Sequence, residues 1–369
     1  MTTPAKRPRI LFVQRANDDP TGGDAIYETR MIAALRETMD VDVVAAARRS
    51  KGARIAGMVR HLTLPDQTAF GGAAEVEEIA RRVAQGCDAV VFSHEYLDLL
   101  AQRLKPRARA RGVPFVSIRH NVTSDMLRSY LERSPAAGVA NGLWRMQERG
   151  ALKPGLYEGL AVLSHRDRAL VREIGGRADV VIATPGAPKA TPLVADAVLV
   201  RDLVIGGSFG WFAKRRDIYR FTEDFLRLSS PPGRIVAEGG VPEALATRLG
   251  ATPAGNCDFS AALRFGVITD RFTAGHKLKT SAYLQNNCIV LSFADVAGDF
   301  AFDARHRQFI VRLTGMDDIK PAMDRLVEAP VSSLRAEFAA FKDAVGRELA
   351  WSRQGEKLAA LVGSVIAGR

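Results

Sequence analysis

The sequence predicts an α/β protein built from two doubly wound, Rossmann-like parallel-sheet domains. Three observations predict it: short apolar strand patterns alternate with helical spacing from residue 9 onward, a proline-rich stretch interrupts the alternation near the middle, and the alternation then starts afresh. Crossover helices make successive strands parallel and cover both faces of each sheet. At 369 residues the chain is long enough for two domains that each bury a core.

The elements follow in order. RILFVQ at 9–14 is a buried-strand pattern, and the spacing of Ile26, Met31, Ile32 and Leu35 sets a helix over 25–36. Strands are expected at 41–46, 88–93, 114–118, 160–164 and 179–183, with helices over 74–86 and 165–174. A further helix carries Leu97, Leu100, Ala101 and Leu104 on one face and is expected to break at Pro106. Residues 184–196 (TPGAPKATPLVAD) hold three prolines and a glycine and read as a linker. Beyond them lie strands at 202–207, 234–238, 265–269 and 288–292, helices over 215–228, 242–249 and 276–286, and a helical tail from Asp317. The expected division is 1–190, 191–350 and a closing helix over 351–369.

Apolar residues at 47%, charged residues at 25% and a mean hydropathy of −0.04 exclude a disordered or fibrous chain. The 52 Lys+Arg against 41 Asp+Glu give +11 and a pI near 9.9, which suits an anionic partner. The excess is local: residues 101–150 carry ten basic and three acidic side chains. Nucleic acid is not expected, because no binding motif and no aromatic-basic interleaving accompanies the charge. Cys87, Cys257 and Cys288 lie far apart without CxxC spacing, so neither a zinc site nor a disulfide framework is expected. The longest uncharged run, 280–294, is too short for a membrane span and is broken by Ser281, Gln285, Asn286 and Asn287. With no signal-peptide pattern at 1–10, a cytoplasmic chain is expected, and the sequon at Asn121 carries no glycan in that reading.

Four stretches carry chemistry. Asp18-Asp19-Pro20-Thr21-Gly22-Gly23-Asp24 precedes the first helix, where paired glycines let a ligand approach unpaired N–H groups; a tight turn with Asp24 as N-cap is the plain alternative. It lacks GxGxxG and GxxxxGK[ST], which disfavours a nicotinamide dinucleotide site or a P-loop. At Gly275, His276, Lys277 and Lys279, cations open a helix against its dipole, a conflict that a bound diphosphate removes. Gly206-Gly207-Ser208-Phe209-Gly210 ends a strand and leads to Lys214-Arg215-Arg216, a second clamp on the same phosphates. His120 follows the strand at 114–118 and so faces the carboxyl edge, where imidazole can bond a sugar hydroxyl or take a proton. His61, His94, His165 and His306 are assigned structural roles.

These residues together resemble the GT-B glycosyltransferases over nearly the whole chain, most of all the family 4-type bacterial enzymes. The similarity runs through TGGDAIYETRMIAALRE at 21–37, RHNV at 119–122, YE at 157–158, LSHRD at 163–167, ATPGAP at 183–188, GGSFGW at 206–211, KRRD at 214–217, GHKLKTSAYL at 275–284 and the helix from Trp351. The resemblance implies two Rossmann-like domains facing a cleft and closed by C-terminal helices. The first holds the acceptor, the second the nucleotide sugar, and the last helix crosses back to the first domain. It also implies that Gly22 and Gly23 lie near the transferred sugar, that His120 contacts it, and that Lys214 and Lys279 hold phosphate. The two glutamates of the retaining branch fall on Ala274 and Ala282, and the family's arginine after the glycine pair is Ser208. The KLK string with Tyr283 instead resembles the xanthan-type glucuronosyltransferases, which invert configuration with a carboxylate base in the first domain. Asp125 and Glu158 are the candidates, with Asp24 behind them.

No metal or other cofactor is expected: such enzymes work without one, and Asp317-Asp318 sits at a helix start where capping explains it. Lys214, Arg215 and Lys279 would then stabilise the departing diphosphate, with the 184–196 linker as a hinge. The expected substrates are a nucleoside-diphosphate sugar and a lipid-linked or glycan acceptor for surface polysaccharide or glycolipid. The alternative is a catalytically silent module that binds a glycan or protein. The basic 101–150 segment, with the Leu97–Leu104 face and a second patch at Met126, Leu127, Tyr130 and Leu131, predicts peripheral docking on the anionic inner face of the cytoplasmic membrane.

Overall fold

The structure is a computed structural model that describes residues 7–16, 22–55, 69–130, 135–273, 275–300, 304–328 and 330–368. Residues 18–21 of the glycine loop, His61, Leu131 and Ala274 lie outside them, as do the side chains of Tyr130 and His306. The chain divides into two units. One comprises Met1–Pro185, Ala274–His276 and Trp351–Arg369, the other Gly186–Thr273 and Lys277–Ala350. The division at 185/186 falls inside the proline-rich stretch.

The first unit holds a six-stranded parallel sheet: β1 (Arg9–Arg15), β2 (Asp40–Ala46), β3 (Ala89–Ser93), β4 (Phe115–Arg119), β5 (Gly159–Val162) and β6 (Val180–Ile182), in the order β2-β1-β3-β4-β5-β6. Period-two alternation serves two cores at once. Leu11 and Val13 of β1 enter one apolar cluster, while Ile10 and Phe12 enter the other across the sheet. The second cluster is covered by α1 (Gly23–Leu35), which brings Tyr27, Met31 and Leu35.

The order of strands reverses beside β1, with β2 on one side and β3 on the other. Ligands of open α/β sheets bind outside the carboxyl ends at such a switch point. The second unit repeats the device. Its strands β7 (Val198–Ile205), β8 (Arg234–Ala237), β9 (Thr252–Pro253), β10 (Ala262–Ile268), β11 (Cys288–Ser292) and β12 (Ile310–Arg312) run in the order β12-β11-β10-β7-β8-β9. The switch there lies between β7 and β10, paired in parallel.

Among the remaining helices, α2 (Ala73–Ala84), α3 (Asp98–Arg109), α4 (Thr123–Tyr130), α5 (Pro135–Leu152) and α6 (His165–Gly175) belong to the first unit. The second has α7 (Phe212–Leu226), α8 (Glu243–Arg248), α9 (Leu278–Gln285), α10 (Ile319–Val327) and α11 (Val331–Glu348). Helix α12 (Trp351–Ala367) lies in the first unit against α1, where Gly355 allows a close crossing: a Cβ there would come within 2.5 Å of the Ala34 Cβ.

Three expectations need correction. Helix α3 continues through Pro106, because Leu104 and Ala108 on either side of it are both 1% exposed in the core. That burial offsets a cost of about 3 kcal/mol for an internal proline. The apolar face expected to dip into lipid is core as well: Leu97, Leu100 and Ala101 are fully buried, and Met126 and Leu127 nearly so. Strands β9 and β12, two and three residues long, are too short to leave a period in the sequence.

Candidate functional site

At the first unit's switch point, three side chains converge from three strand ends. Asp24 stands in the first turn of α1, after β1, where the helix dipole favours an anion. Gly22 is the N-cap of α1 and Gly23 its first residue, so Asp24 is not the cap. His94 follows β3 and His120 follows β4.

The His120 Nδ1 lies 3.2 Å from Asp24 Oδ1, and its Nε2 lies 3.0 Å from Ser93 Oγ. The His94 Nε2 lies 3.8 Å from Asp24 Oδ2. The two imidazoles stack with centroids 4.9 Å apart. Arg15, at the end of β1, donates to Asp24 Oδ2. His94 accepts the Tyr96 backbone N–H at Nδ1, 3.4 Å away, which leaves Nε2 to carry the proton toward Asp24.

The electrostatics separate the members. Burial alone would raise Asp24, but hydrogen bonds and charge from His120 and His94 hold it well below the usual carboxylate range. Burial lowers His94, whereas His120 is raised against its burial by Asp24, Glu28 and Glu95. Burial pushes Glu28, one turn along α1, up to about 7. Both histidines are 2% exposed, while the Asp24 side chain is 34% exposed. Asp24 is therefore the member that can meet a substrate. Ser93, His120 and Asp24 are spaced like a hydrolytic triad, yet Ser93 is fully buried and cannot act as a nucleophile.

Asp24, His94 and His120 also form, among the described residues, a group offering three ligand atoms within 4.8 Å of one another. Arg15 already supplies positive charge at the same carboxylate.

The other named carboxylates lie elsewhere. Asp125, in the first turn of α4, pairs with Arg128 at 2.5 Å. Glu158 precedes β5, at the amino edge of the sheet opposite His120, and pairs with Lys105 at 2.6 Å. Asp318 accepts the Thr314 and Gly315 backbone N–H groups at 2.6 and 3.0 Å, the capping role expected for the 317–318 pair.

In the second unit, Gly207 follows β7 at φ +111°, and a Cβ there would come within 2.0 Å of the Lys279 Cε. The lysine stem thus lies across bare backbone. Its Nζ stands 4.4 Å from the Phe209 ring centroid. Burial lowers the Lys279 ammonium to about 8, partly countered by Asp270, with Lys214 and Lys277 adding to the decrease. Lys277 bonds Asp270 at 2.9 Å. Against the effect of burial, Lys277, Lys279 and Lys214 together hold the Asp270 carboxylate far below its ordinary range.

The motif by itself treats His276, Lys277 and Lys279 alike, the family resemblance picks out Lys279, and the structure separates all three. His276, buried in the first unit with Gly275, is pushed down to about 3 by burial and brings no charge at neutral pH. Lys277 is ion-paired with Asp270, whereas Lys279 lies over Gly207. Tyr283 is buried; its hydroxyl accepts the Gly206 N–H at 2.8 Å and so holds the strand exit. Ser208 and Arg215 are exposed, Arg215 donating to the Gly210 carbonyl at 3.0 Å, and Lys214 is half-buried.

His94 and Asp270 were missed by sequence reasoning. Both follow a strand at its carboxyl end, the position that singled out His120, and that signal would have found them.

Two doubly wound units with polar side chains gathered at both switch points define the GT-B fold class. Solved structures agree over nearly the full chain. The OtsA apo structure is similar with a TM-score of 0.59 at 12% identity, covering 96% of this chain and 99% of that one. HepE of Anabaena in complex with UDP and glucose gives 0.58 at 13%, covering 97% and 100%. The pneumococcal O-GlcNAc transferase GtfA in complex with UDP and GlcNAc gives 0.53 at 9%, covering 98% and 99%. At these identities the likeness is one of fold. No family model and no curated protein sequence matches the chain.

Proposed function

We propose that the protein is a metal-independent glycosyltransferase that moves a sugar from a nucleoside diphosphate to a lipid-linked or glycan acceptor. The carrying observation is Lys279, a charged ammonium laid over Gly207 at the second unit's switch point beside Lys214. A cation at a bare-backbone strand exit suits a diphosphate. The fold supports this, as do UDP and a sugar in the HepE and GtfA structures.

In this reading Asp24 is the base. It is ionised, half-exposed and held by His94 and His120. It takes the proton of the acceptor hydroxyl as that oxygen bonds the anomeric carbon, and the bond to the diphosphate breaks with its electron pair leaving on the phosphate oxygen. Lys279, Lys214 and Arg215 stabilise that charge. A carboxylate that acts as base rather than nucleophile gives inversion. Exposed Arg107, Arg109 and Arg111 in the basic 101–150 segment support docking on an anionic membrane surface, where a lipid-linked acceptor for polysaccharide or glycolipid would be met.

The test is a calorimetric screen of UDP- and GDP-sugars, then transfer assays with NMR of the product anomer. Saturable binding and an inverted product are expected. Binding of no nucleotide sugar overturns the reading, and binding without turnover identifies a silent module.

A further inference from the structure

Glu95 follows His94 and is 2% exposed. Its carboxylate reaches across to the residues after β4. It accepts the His120 N–H at 3.1 Å, the Asn121 N–H at 3.3 Å, the Asn121 Nδ2 at 3.2 Å and the Thr123 Oγ1 at 3.2 Å. The His94 Nδ1 lies 3.3 Å from the same group. One buried carboxylate thus joins the exits of β3 and β4.

His94 stands at φ 123°, ψ 141°, a conformation that side chains rarely adopt. Such backbone persists only where its surroundings over-determine it. The Glu95 bonds and the Tyr96 N–H supply that constraint.

We propose that Glu95 is a positioning residue: it ties the carboxyl ends of β3 and β4 together so that the His94 and His120 rings meet the Asp24 carboxylate from two sides. A residue that served stability alone could sit anywhere in the core, whereas this one bonds the backbone of one histidine and lies beside the ring of the other. The proposal rests on Asp24 as the base for its effect on turnover, but not for its effect on His120.

The groups that face the His120 ring are Asp24, Tyr27 and Glu28 from α1, and Ser93, His94 and Glu95 at the end of β3. Asp24, Glu28 and Glu95 favour the imidazolium, and removing one negative charge lowers its titration midpoint.

The experiment compares the full-length wild type, Glu95→Gln and Thr123→Val. It reads the His120 midpoint by NMR of the ring, together with kcat and donor KM. In Glu95→Gln the midpoint falls and kcat drops about tenfold to a hundredfold, the scale of a misplaced catalytic group, while donor KM holds. Thr123→Val loses one bond to the carboxylate and no charge; its midpoint holds and kcat falls less. An unchanged midpoint and kcat in Glu95→Gln overturn the proposal, as does an equal loss of donor affinity. Should Glu95→Gln fail to fold, an unchanged kcat in Thr123→Val overturns it. Should the wild type turn over no nucleotide sugar, the functional reading fails and a crystal structure of Glu95→Gln decides the role of Glu95: His94 and His120 rings that keep their places against Asp24 overturn it.

Discussion

Asp24 and His120 meet at 3.2 Å although 96 positions separate them in sequence. The pairing exists because β1 and β4 end at the same edge of one parallel sheet, with β3 between them. It gives the histidine its Nδ1–H tautomer and leaves the carboxylate as the exposed partner.

Replacing Asp24 by Asn removes the proton acceptor and keeps the shape. Transfer should fall by about 10²- to 10⁴-fold, the usual contribution of a general base, with nucleotide-sugar affinity unchanged. Steady-state kinetics and calorimetry on the same preparation check this; a parallel fall in affinity contradicts the assignment.

Donor binding should weaken as pH rises through about 8, because the buried Lys279 ammonium loses its proton there and the anion loses its charged partner. Calorimetry at pH 7 and pH 9.5 measures it. Lys279→Met supplies the baseline: weaker binding by about ten- to a hundredfold, as for a lost charge-assisted hydrogen bond, and no lysine-dependent slope.

Gly207→Ala places a methyl group where the Lys279 stem lies, on backbone at φ +111°. The expected cost is about 1–3 kcal/mol of stability, read as a lower Tm, with donor affinity falling because the lysine is displaced. An unchanged affinity would separate Lys279 from donor binding.

Glu28→Gln tests the buried acid of α1. Its carboxyl is raised to about 7 in the folded protein against an ordinary value near 4.5, so the native state holds a proton that the unfolded chain has released. Between those values stability declines as pH rises, and the loss is complete above about 7. Glutamine removes the penalty. The variant should be more stable than wild type by about 3 kcal/mol at pH 8, with the difference nearly gone at pH 4.5, measured by urea denaturation at both.

Membrane docking should depend on exposed Arg109 and Arg111 rather than on Arg103 and Lys105. Arg103 donates to the Gly71 carbonyl at 2.5 Å and Lys105 pairs with Glu158. Charge reversal at Arg109 and Arg111 should abolish salt-sensitive cosedimentation with phosphatidylserine vesicles. Unaltered binding would remove this segment from the interface.

Both sheets were legible because every strand except β9 and β12 is a run of apolar β-formers bounded by turn residues, and the 185/186 division lies inside the proline cluster. The glycine pair and the lysines of α9 were legible as a class, since cations at a helix start contradict the dipole. Which cation is engaged in an ion pair was not, because that depends on Asp270 under Lys277 and bare Gly207 under Lys279. The choice of base was hidden for a similar reason. Asp24, Asp125 and Glu158 are alike as residue types; the parallel sheet puts Glu158, which precedes its strand, at the opposite edge from His120, and only strand order puts Asp24 beside that histidine.

Helix α12 has a bearing on how the protein is made. Leu358 and Val362 are fully buried in the cluster formed by Ile10, Phe12 and Tyr27, so one wall of the first unit comes from residues translated after the whole second unit. During synthesis the second unit can close its own core while the first, covered there by α1, still lacks Leu358 and Val362 from that apolar face. A chain truncated after residue 350 and released should therefore hold a protease-resistant 186–350 segment beside a protease-sensitive amino-terminal part, reversing the usual vectorial order in which the segment made first is the first to be finished.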